Sequence, residues 1–236
     1  MTARLIACHS IIALDARHPV AAKSLLDAQD MHRLVMSGFR GWVEERQPDA
    51  RAQMGVLSTW NVDLKTNTLL LVVQSKIAPD WSLIPRNALT TKIETISVDQ
   101  ALGKGEQFTF RTVVNALTAR RDQRTSERRS RKLPAARPDH VREWLMKRSQ
   151  PTLDGTTAES GAARFIGAEI DPQSLAIRML PPVTSSHHAG LKINRSEVRG
   201  SLVVADPDAF HSTLIDGIGS ARAYGCGLVL VRPSGS

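Results

Sequence analysis

Apolar stretches of two different periods follow one another in a fixed order along this chain, and that order limits the folds open to it. Residues 4–14, RLIACHSIIAL, are rich in isoleucine and leucine and predict a first strand. Pro19 then opens the stretch 20–46, where Leu25, Ala28, Val35, Phe39 and Trp42 recur at helical spacing, so one long helix is expected. Residues 54–64 and 67–77 are two further apolar runs separated by Lys65 and Thr66, the pattern of a β-hairpin. Residues 79–89 are short and irregular, enough for one or two helical turns, and 92–98 alternate as an edge strand does. Strand, helix, strand, strand, short helix, strand is the ferredoxin-like order.

A polar, glycine-containing junction at 101–107 follows, and then the order repeats. Residues 108–119 read as a strand with Arg111 on one face. Residues 138–148 read as a helix with proline at its start and Val141, Trp144 and Leu145 as its apolar stripe. Strands are expected in 163–183 and 190–207, then a helix capped by Asp206 with Pro207 at its first position, then a last strand at 226–233. The fold class expected is α+β: two tandem ferredoxin-like (RRM-like) βαββαβ domains, residues 1–100 and 101–236. A chain of 236 residues, 42% of them hydrophobic, has the length and the core for two such units.

Charge narrows the partners. Lys and Arg number 31 against 23 Asp and Glu, a formal +8, which points to a polyanion, nucleic acid before membrane. A basic protein without such a partner is the alternative. Seven of the bases crowd into 120–132, RRDQRTSERRSRK, as Arg120, Arg121, Arg124, Arg128, Arg129, Arg131 and Lys132, with two acids and no apolar residue. Such a segment cannot bury itself and is expected to be a mobile loop. It is either a solvated linker or an arm that grips phosphates, and the density of like charge favours the arm. Aromatics at 4% speak against single-strand binding by base stacking, so structured RNA is the better fit.

The N-terminal apolar run is broken by His9, Asp15 and Arg17, unlike a secretory signal, and no stretch approaches the ~20 apolar residues of a membrane span. A cytoplasmic location is expected. Cys8 and Cys226 stand at opposite ends of the chain and make neither a metal motif nor a disulfide framework.

The stretch 217–227, GIGSARAYGCG, places Gly217, Gly219, Gly225 and Gly227 around a single charge, Arg222. A dinucleotide fingerprint needs a third glycine where Arg222 stands, after a strand and before a helix. Here the expected order is helix, loop, strand, which speaks against a nucleotide cofactor. Two readings stay open. The loop amides face an anion, with Arg222 adding a bidentate phosphate contact; or Gly217 caps a helix and the rest is a tight packing bend.

Gly-apolar-Gly, five residues including a base, then Gly-apolar-Gly before a C-terminal strand resembles the signature loop of the CRISPR-associated RAMP proteins. Within them the chain most resembles the CasE family, the repeat-processing endoribonucleases of type I-E Cascade. GIGSARAYGCGLVLVRP (217–233) is similar to that family's C-terminal motif, and DMHRL (30–34) to its motif on the first helix. FTFRTVVNALTARR (108–121) and VREWLMKR (141–148) resemble its mid-chain segments.

The resemblance implies tandem ferredoxin-like domains and metal-independent cleavage of CRISPR precursor RNA at the base of the repeat hairpin, leaving 2′,3′-cyclic phosphate and 5′-hydroxyl ends. It implies no cofactor and no metal. The enzyme, a monomer when free, would stay on mature crRNA as a Cascade subunit. A catalytically inactive RNA-hairpin-binding scaffold of the same superfold is the alternative.

Matched to the first-helix motif, His32 would be the general acid or base near neutral pH. By periodicity alone, at the edge of the apolar stripe, it reads as a core histidine. Gln29 stands where some family members carry tyrosine; it can hydrogen-bond a phosphate or ribose but cannot titrate. Lys192, in GLKINR, would stabilise the phosphorane or be a solvated strand lysine. Arg33, Arg111, the 120–132 segment, Arg195, Arg222 and the four loop glycines are the candidates for binding RNA.

Overall fold

Two antiparallel sheets follow one another in the computed structural model, which describes residues 2–42, 49–121, 130–135, 137–150, 164–188 and 190–235. The first sheet holds β1 (Thr2–Asp15), β2 (Leu57–Asp63), β3 (Thr68–Ser75) and β4 (Glu94–Gly103) in the order β2-β3-β1-β4. That is the ferredoxin-like arrangement, with β4 at the edge as its alternating sequence predicts. The second holds β5 (Gln107–Val114), β8 (Ala168–Ile170), β10 (Lys192–Val204) and β11 (Val229–Pro233) in the order β11-β5-β10-β8, with β9 (Ala176–Thr184) also on β10. The fold is two ferredoxin-like units in tandem. The helices are α1 (Pro19–Leu26), α2 (Ala28–Met36), α3 (Ala50–Gln53), α4 (Pro138–Ser149) and α5 (Pro207–Asp216). Among the described residues, no helix is long and apolar enough to cross a membrane.

The single helix expected over 20–46 is two. Asp27 breaks it with extended angles, φ −135° and ψ 126°, and its side chain accepts from the Gln29 amide at 2.7 Å. An aspartate there satisfies an amide that a helix start leaves unpaired, so a new helix begins. α2 then tightens into a 3-10 turn at Ser37–Phe39. Trp42, expected on the buried stripe, lies beyond that end and is 56% exposed.

The arginine-rich segment is also not loop throughout. The strand expected at 108–119 leaves the sheet after Val114, and β6 (Leu117–Arg121) pairs instead with β7 (Ser130–Pro134), setting Arg120 opposite Arg131 and Arg121 opposite Ser130. A ribbon is held by backbone hydrogen bonds, so a stretch with nothing to bury can still be strand. Arg124, Arg128 and Arg129 lie outside the described residues.

Each unit has its own core, and β1 serves both. Ile12 and Leu14 pack with Leu69, Leu71 and Val73 against Met31, Val35 and Phe39. Leu5 and Ala7, at odd positions and therefore on the other face of the strand, join Phe108, Val198, Trp144, Phe210 and Leu214 in the second core, together with Leu102 of β4. α5 packs on β1, and Gln74 donates to the Leu214 carbonyl at 2.7 Å in the buried seam. The seam between the units is thus continuous core.

Candidate functional site

α2 carries Gln29 and His32 three residues apart, hence on one face. The C-terminal glycine loop comes to meet that face. α5 ends at Gly217, the chain makes a 3-10 turn at Arg222–Tyr224, and β11 follows. Ile218 donates to the Gly227 carbonyl at 2.9 Å and Gly227 to the Val113 carbonyl at 2.7 Å, which closes the loop onto β5. All four glycines adopt positive φ, 76°, 74°, 78° and 89° in chain order. At Gly225 a Cβ would stand 2.9 Å from Nε1 of Trp60 on β2. The loop is wedged into the seam, where only glycine gives both the backbone angle and the room. This is the helix-cap and packing-bend geometry. Arg222 takes part by donating to the Asp216 carbonyl at the end of α5, 2.8 Å.

His32 is half-buried under this loop. Its ring lies edge-on to Tyr224, centroids 6.1 Å apart, and its N–H donates to the Ala223 carbonyl. Burial pushes its pKa below the ordinary imidazole value; the Ala223 bond opposes this, and the charges of Arg51 and Arg33 add to the fall. The imidazole is therefore neutral at pH 7, and with one nitrogen donating to Ala223 the other is left as a proton acceptor. Gln29 accepts from the Tyr224 hydroxyl at 3.4 Å. Arg51, half-buried on α3, donates to the Val56 carbonyl at 2.6 Å, and burial followed by the nearby Arg222 charge lowers its own pKa. A neutral base flanked by guanidiniums is an arrangement that can accept a proton beside a phosphate.

Asp27 fixes the angle of α2. Besides capping the helix it accepts from Ser185 Oγ at 3.0 Å and from Ser186 N and Oγ at 2.6 and 2.7 Å, on the β9–β10 loop. Burial alone would raise its pKa, but those bonds, those from Ser186 first, outweigh it and hold the carboxyl well below the usual range. Asp30 is met by Arg33 at 3.0 Å, Lys23 at 3.6 Å and His187 at 3.7 Å, and Arg33 also donates to His187 at 3.2 Å. Asp27, Asp30 and His187 lie as close together as metal ligands do, within 4.8 Å. Their carboxylates are already engaged by serine, lysine and arginine donors, so the cluster acts as a latch between α2 and the second unit.

The other expected arginines divide. Arg111 donates to Glu197 at 2.6 Å, and Arg178 and Arg199 reach the same carboxylate at 2.9 and 3.0 Å. Glu197 is 4% exposed, while Arg178 and Arg199 are exposed, so three guanidiniums share one buried anion and the patch stays positive. Arg195, two residues earlier, is also 4% exposed and stacks on Trp60 at 3.7 Å; its Nε and Nη1 have no hydrogen-bond partner among the described residues. Burial lowers its pKa and pushes the neighbouring Cys226 thiol up to about 12, which keeps that thiol protonated. Lys192 is exposed at the start of β10, and no contact among the described residues ties it to His32.

Sequence reasoning missed Tyr224, Arg51, Trp60, Asp27, Arg178 and Arg199. One signal was available: Tyr224 is the single tyrosine of the chain and stands inside the glycine stretch.

Fold and site together define a tandem ferredoxin-like protein in which a C-terminal glycine loop closes over a helix-borne histidine among arginines. The chain belongs to the CRISPR associated protein family, whose family model matches residues 9–233. Among solved structures it is similar to Thermus thermophilus Cse3 bound to an RNA representing a pre-cleavage complex, with a TM-score of 0.72 at 19% identity, over 97% of this chain and 100% of that one. It is similar too to Cas6e from Escherichia coli str. K-12, TM-score 0.64 at 18% identity, over 96% and 99% of the two chains. A chain of a CRISPR RNA-guided surveillance complex matches with a TM-score of 0.62 at 19% identity, over 96% and 99%. At these identities the likeness is one of fold. No curated protein sequence matches the chain at a significant level.

Proposed function

We propose that this protein is a metal-independent endoribonuclease that binds CRISPR precursor RNA and cuts it at the base of the repeat hairpin. The observation that carries the reading is the meeting of His32 with the glycine loop: a neutral imidazole, oriented by the Ala223 carbonyl, flanked by Arg51 and Arg33 and close to Tyr224. RNA brings its own nucleophile. His32 takes the proton of the 2′-hydroxyl beside the scissile phosphate as that oxygen attacks phosphorus, and the P–O5′ bond breaks. The products are a 2′,3′-cyclic phosphate and a 5′-hydroxyl. Guanidinium charge at the site stabilises the phosphorane.

Residues 1–100 carry the histidine helix. Residues 101–236 carry the β6–β7 ribbon with its arginines, the Arg111, Arg178 and Arg199 patch and the glycine loop, which would grip the hairpin's phosphates. The likeness to RNA-bound Cse3 and to a chain of a surveillance complex supports RNA as the ligand and retention on mature crRNA as a Cascade subunit. Incubation of the purified protein with a repeat hairpin RNA in EDTA tests the reading. One cut at the hairpin base, ending in a cyclic phosphate, is expected. Tight binding without a cut replaces the enzyme with a scaffold.

A further inference from the structure

Once His32 takes the 2′ proton, the departing 5′-oxygen still needs one. Few groups stand close enough to give it. The Gln29 amide has no titratable proton, and guanidinium groups in general are poor proton donors in catalysis. Lys192 makes no contact with the cluster among the described residues. The phenol of Tyr224 remains, an O–H donor.

Its placement suits the task. Tyr224 ends the 3-10 turn Arg222–Tyr224, packs against the small cluster of Val113, Ile193 and Cys226, and stays half-exposed. Its ring meets that of His32 at 64°, with centroids 6.1 Å apart. The two rings meet edge to face rather than stack. In an in-line displacement the attacking and leaving oxygens stand on opposite sides of phosphorus, so base and acid must be separate groups on either side of it. The resting hydroxyl is parked on Gln29 Oε1 at 3.4 Å, long for an O–H···O bond and therefore weak enough to be given up to a substrate oxygen.

We propose that Tyr224 is the general acid of this reaction, paired with His32 as the base; the proposal rests on the endoribonuclease reading above. The 2′-oxygen forms its bond to phosphorus and passes its proton to His32. The P–O5′ bond breaks with its electron pair on the 5′-oxygen, which takes the proton of Tyr224 Oη. Imidazolium and phenolate are left, and a proton returns from one to the other through water. Gln29 is the positioning residue that holds the phenol over α2.

Single-turnover cleavage of two hairpin RNAs by Tyr224→Phe tests this. One is ordinary RNA; the other carries sulfur in place of the 5′-oxygen at the scissile bond, a leaving group that departs without a proton. The variant keeps the ring, so melting temperature and hairpin affinity should match wild type. On ordinary RNA it should be slower by about 10²-fold or more, and on the sulfur RNA it should match wild type, while His32→Ala is slow on both. A wild-type rate for Tyr224→Phe on ordinary RNA overturns the proposal, as does an equal defect on both RNAs. A wild-type protein that cuts neither RNA instead overturns the endoribonuclease reading beneath it.

Discussion

The seam between the two units and the outer face of the second sheet treat charge in opposite ways. In the seam, charge is withdrawn from water: His32 is held neutral, Arg195 is folded onto Trp60, and the glycine loop leaves no room for a side chain at Gly225. On the outer face, charge is presented: Arg178 and Arg199 stand in solvent around the one carboxylate that organises them. The difference follows from what each task requires. A proton acceptor works near pH 7 only if its surroundings favour the neutral form, which partial burial does. A grip on phosphates gains its affinity by releasing counterions, which exposed cations do. A residue's seat should therefore predict which measurement its loss disturbs.

The largest effect belongs to His32→Ala. Loss of the proton acceptor should slow single-turnover cleavage by about 10²- to 10⁴-fold, roughly 3 to 5 kcal/mol of barrier, with hairpin affinity nearly unchanged. Equal losses in affinity and rate would mean that this seam residue behaves like a surface one. The depressed pKa has two signs to check. The base is lost only as pH falls through a value below that of free histidine, so the wild-type rate should hold its plateau below pH ~6.5. In stability, protonation favours the unfolded chain, so His32 costs the wild type nothing above the unfolded pKa and an increasing amount below it. His32→Ala should thus lose less stability than wild type between neutral and mildly acid pH.

Gly225→Val comes next, and it should disturb everything at once. Its φ of 78° is strained for a β-branched residue, and its Cβ falls 2.9 Å from the Trp60 ring. Strain and overpacking together are worth about 2 to 5 kcal/mol, a fall of roughly 5 to 15 °C in melting temperature for a chain of this size. RNA processing should fail with it. An unchanged melting temperature would show that the loop is not seated in the seam, and saturable ATP or NAD binding by the wild type would restore a cofactor role to the glycines.

These seats were unevenly legible in the sequence. Strand order could be read because alternation and helical spacing are local, and because glycine and proline mark the turns. The break at Asp27 was missed because an aspartate within an apolar-periodic stretch looks like a solvated position, and the serines that also bond its carboxylate lie 158 and 159 residues away. His32 could be named from its motif, but its neutrality depends on burial under the glycine loop and on the Arg51 charge, which only the fold supplies. Arg195 and Arg199 look alike as letters, and each occurs in a strand. Their opposite seats come from Trp60, on another sheet, and from Glu197, whose burial no pattern within β10 announces. The ribbon of β6 and β7 was invisible to hydrophobic patterning because residues 120–132 carry no apolar side chain.

On the outer face, neutralising charge should change binding and leave the chemical step alone. Arg178→Ala with Arg199→Ala removes up to two phosphate contacts, and the log-log salt slope of hairpin binding should become shallower by about 1.4 to 1.8 units. Replacing Arg128, Arg129 and Arg131 together should flatten it by up to about 2 to 3 units, at about 0.7 to 0.9 per contact. In both variants the cleavage rate at saturating protein should stay near wild type. An unchanged slope for the triple variant would make the arginine segment a linker. A lower saturated rate for the double variant would place Arg178 and Arg199 in the chemistry, erasing the division between face and seam.

The smallest expected effect decides where Arg195 belongs. Its guanidinium is buried, lies 3.7 Å from the Trp60 ring centre, and leaves two nitrogens, Nε and Nη1, without a partner among the described residues. A desolvated cation on an indole face is worth about 0.5 to 2 kcal/mol, while the burial itself works against the charge. Trp60→Leu therefore leaves the charge buried without its aromatic partner and should lower stability. Adding Arg195→Met removes the stranded charge at similar volume and should recover much of the loss, since apolar replacement of a buried charge is often neutral or better. The double-mutant cycle should return a coupling of about 0.5 to 2 kcal/mol, and the salt slope of RNA binding should not move with Arg195→Met. Zero coupling together with a slope shallower by about one contact would move Arg195 from the seam to the phosphate grip, and with it the line between a surface that binds RNA and an interior that cuts it.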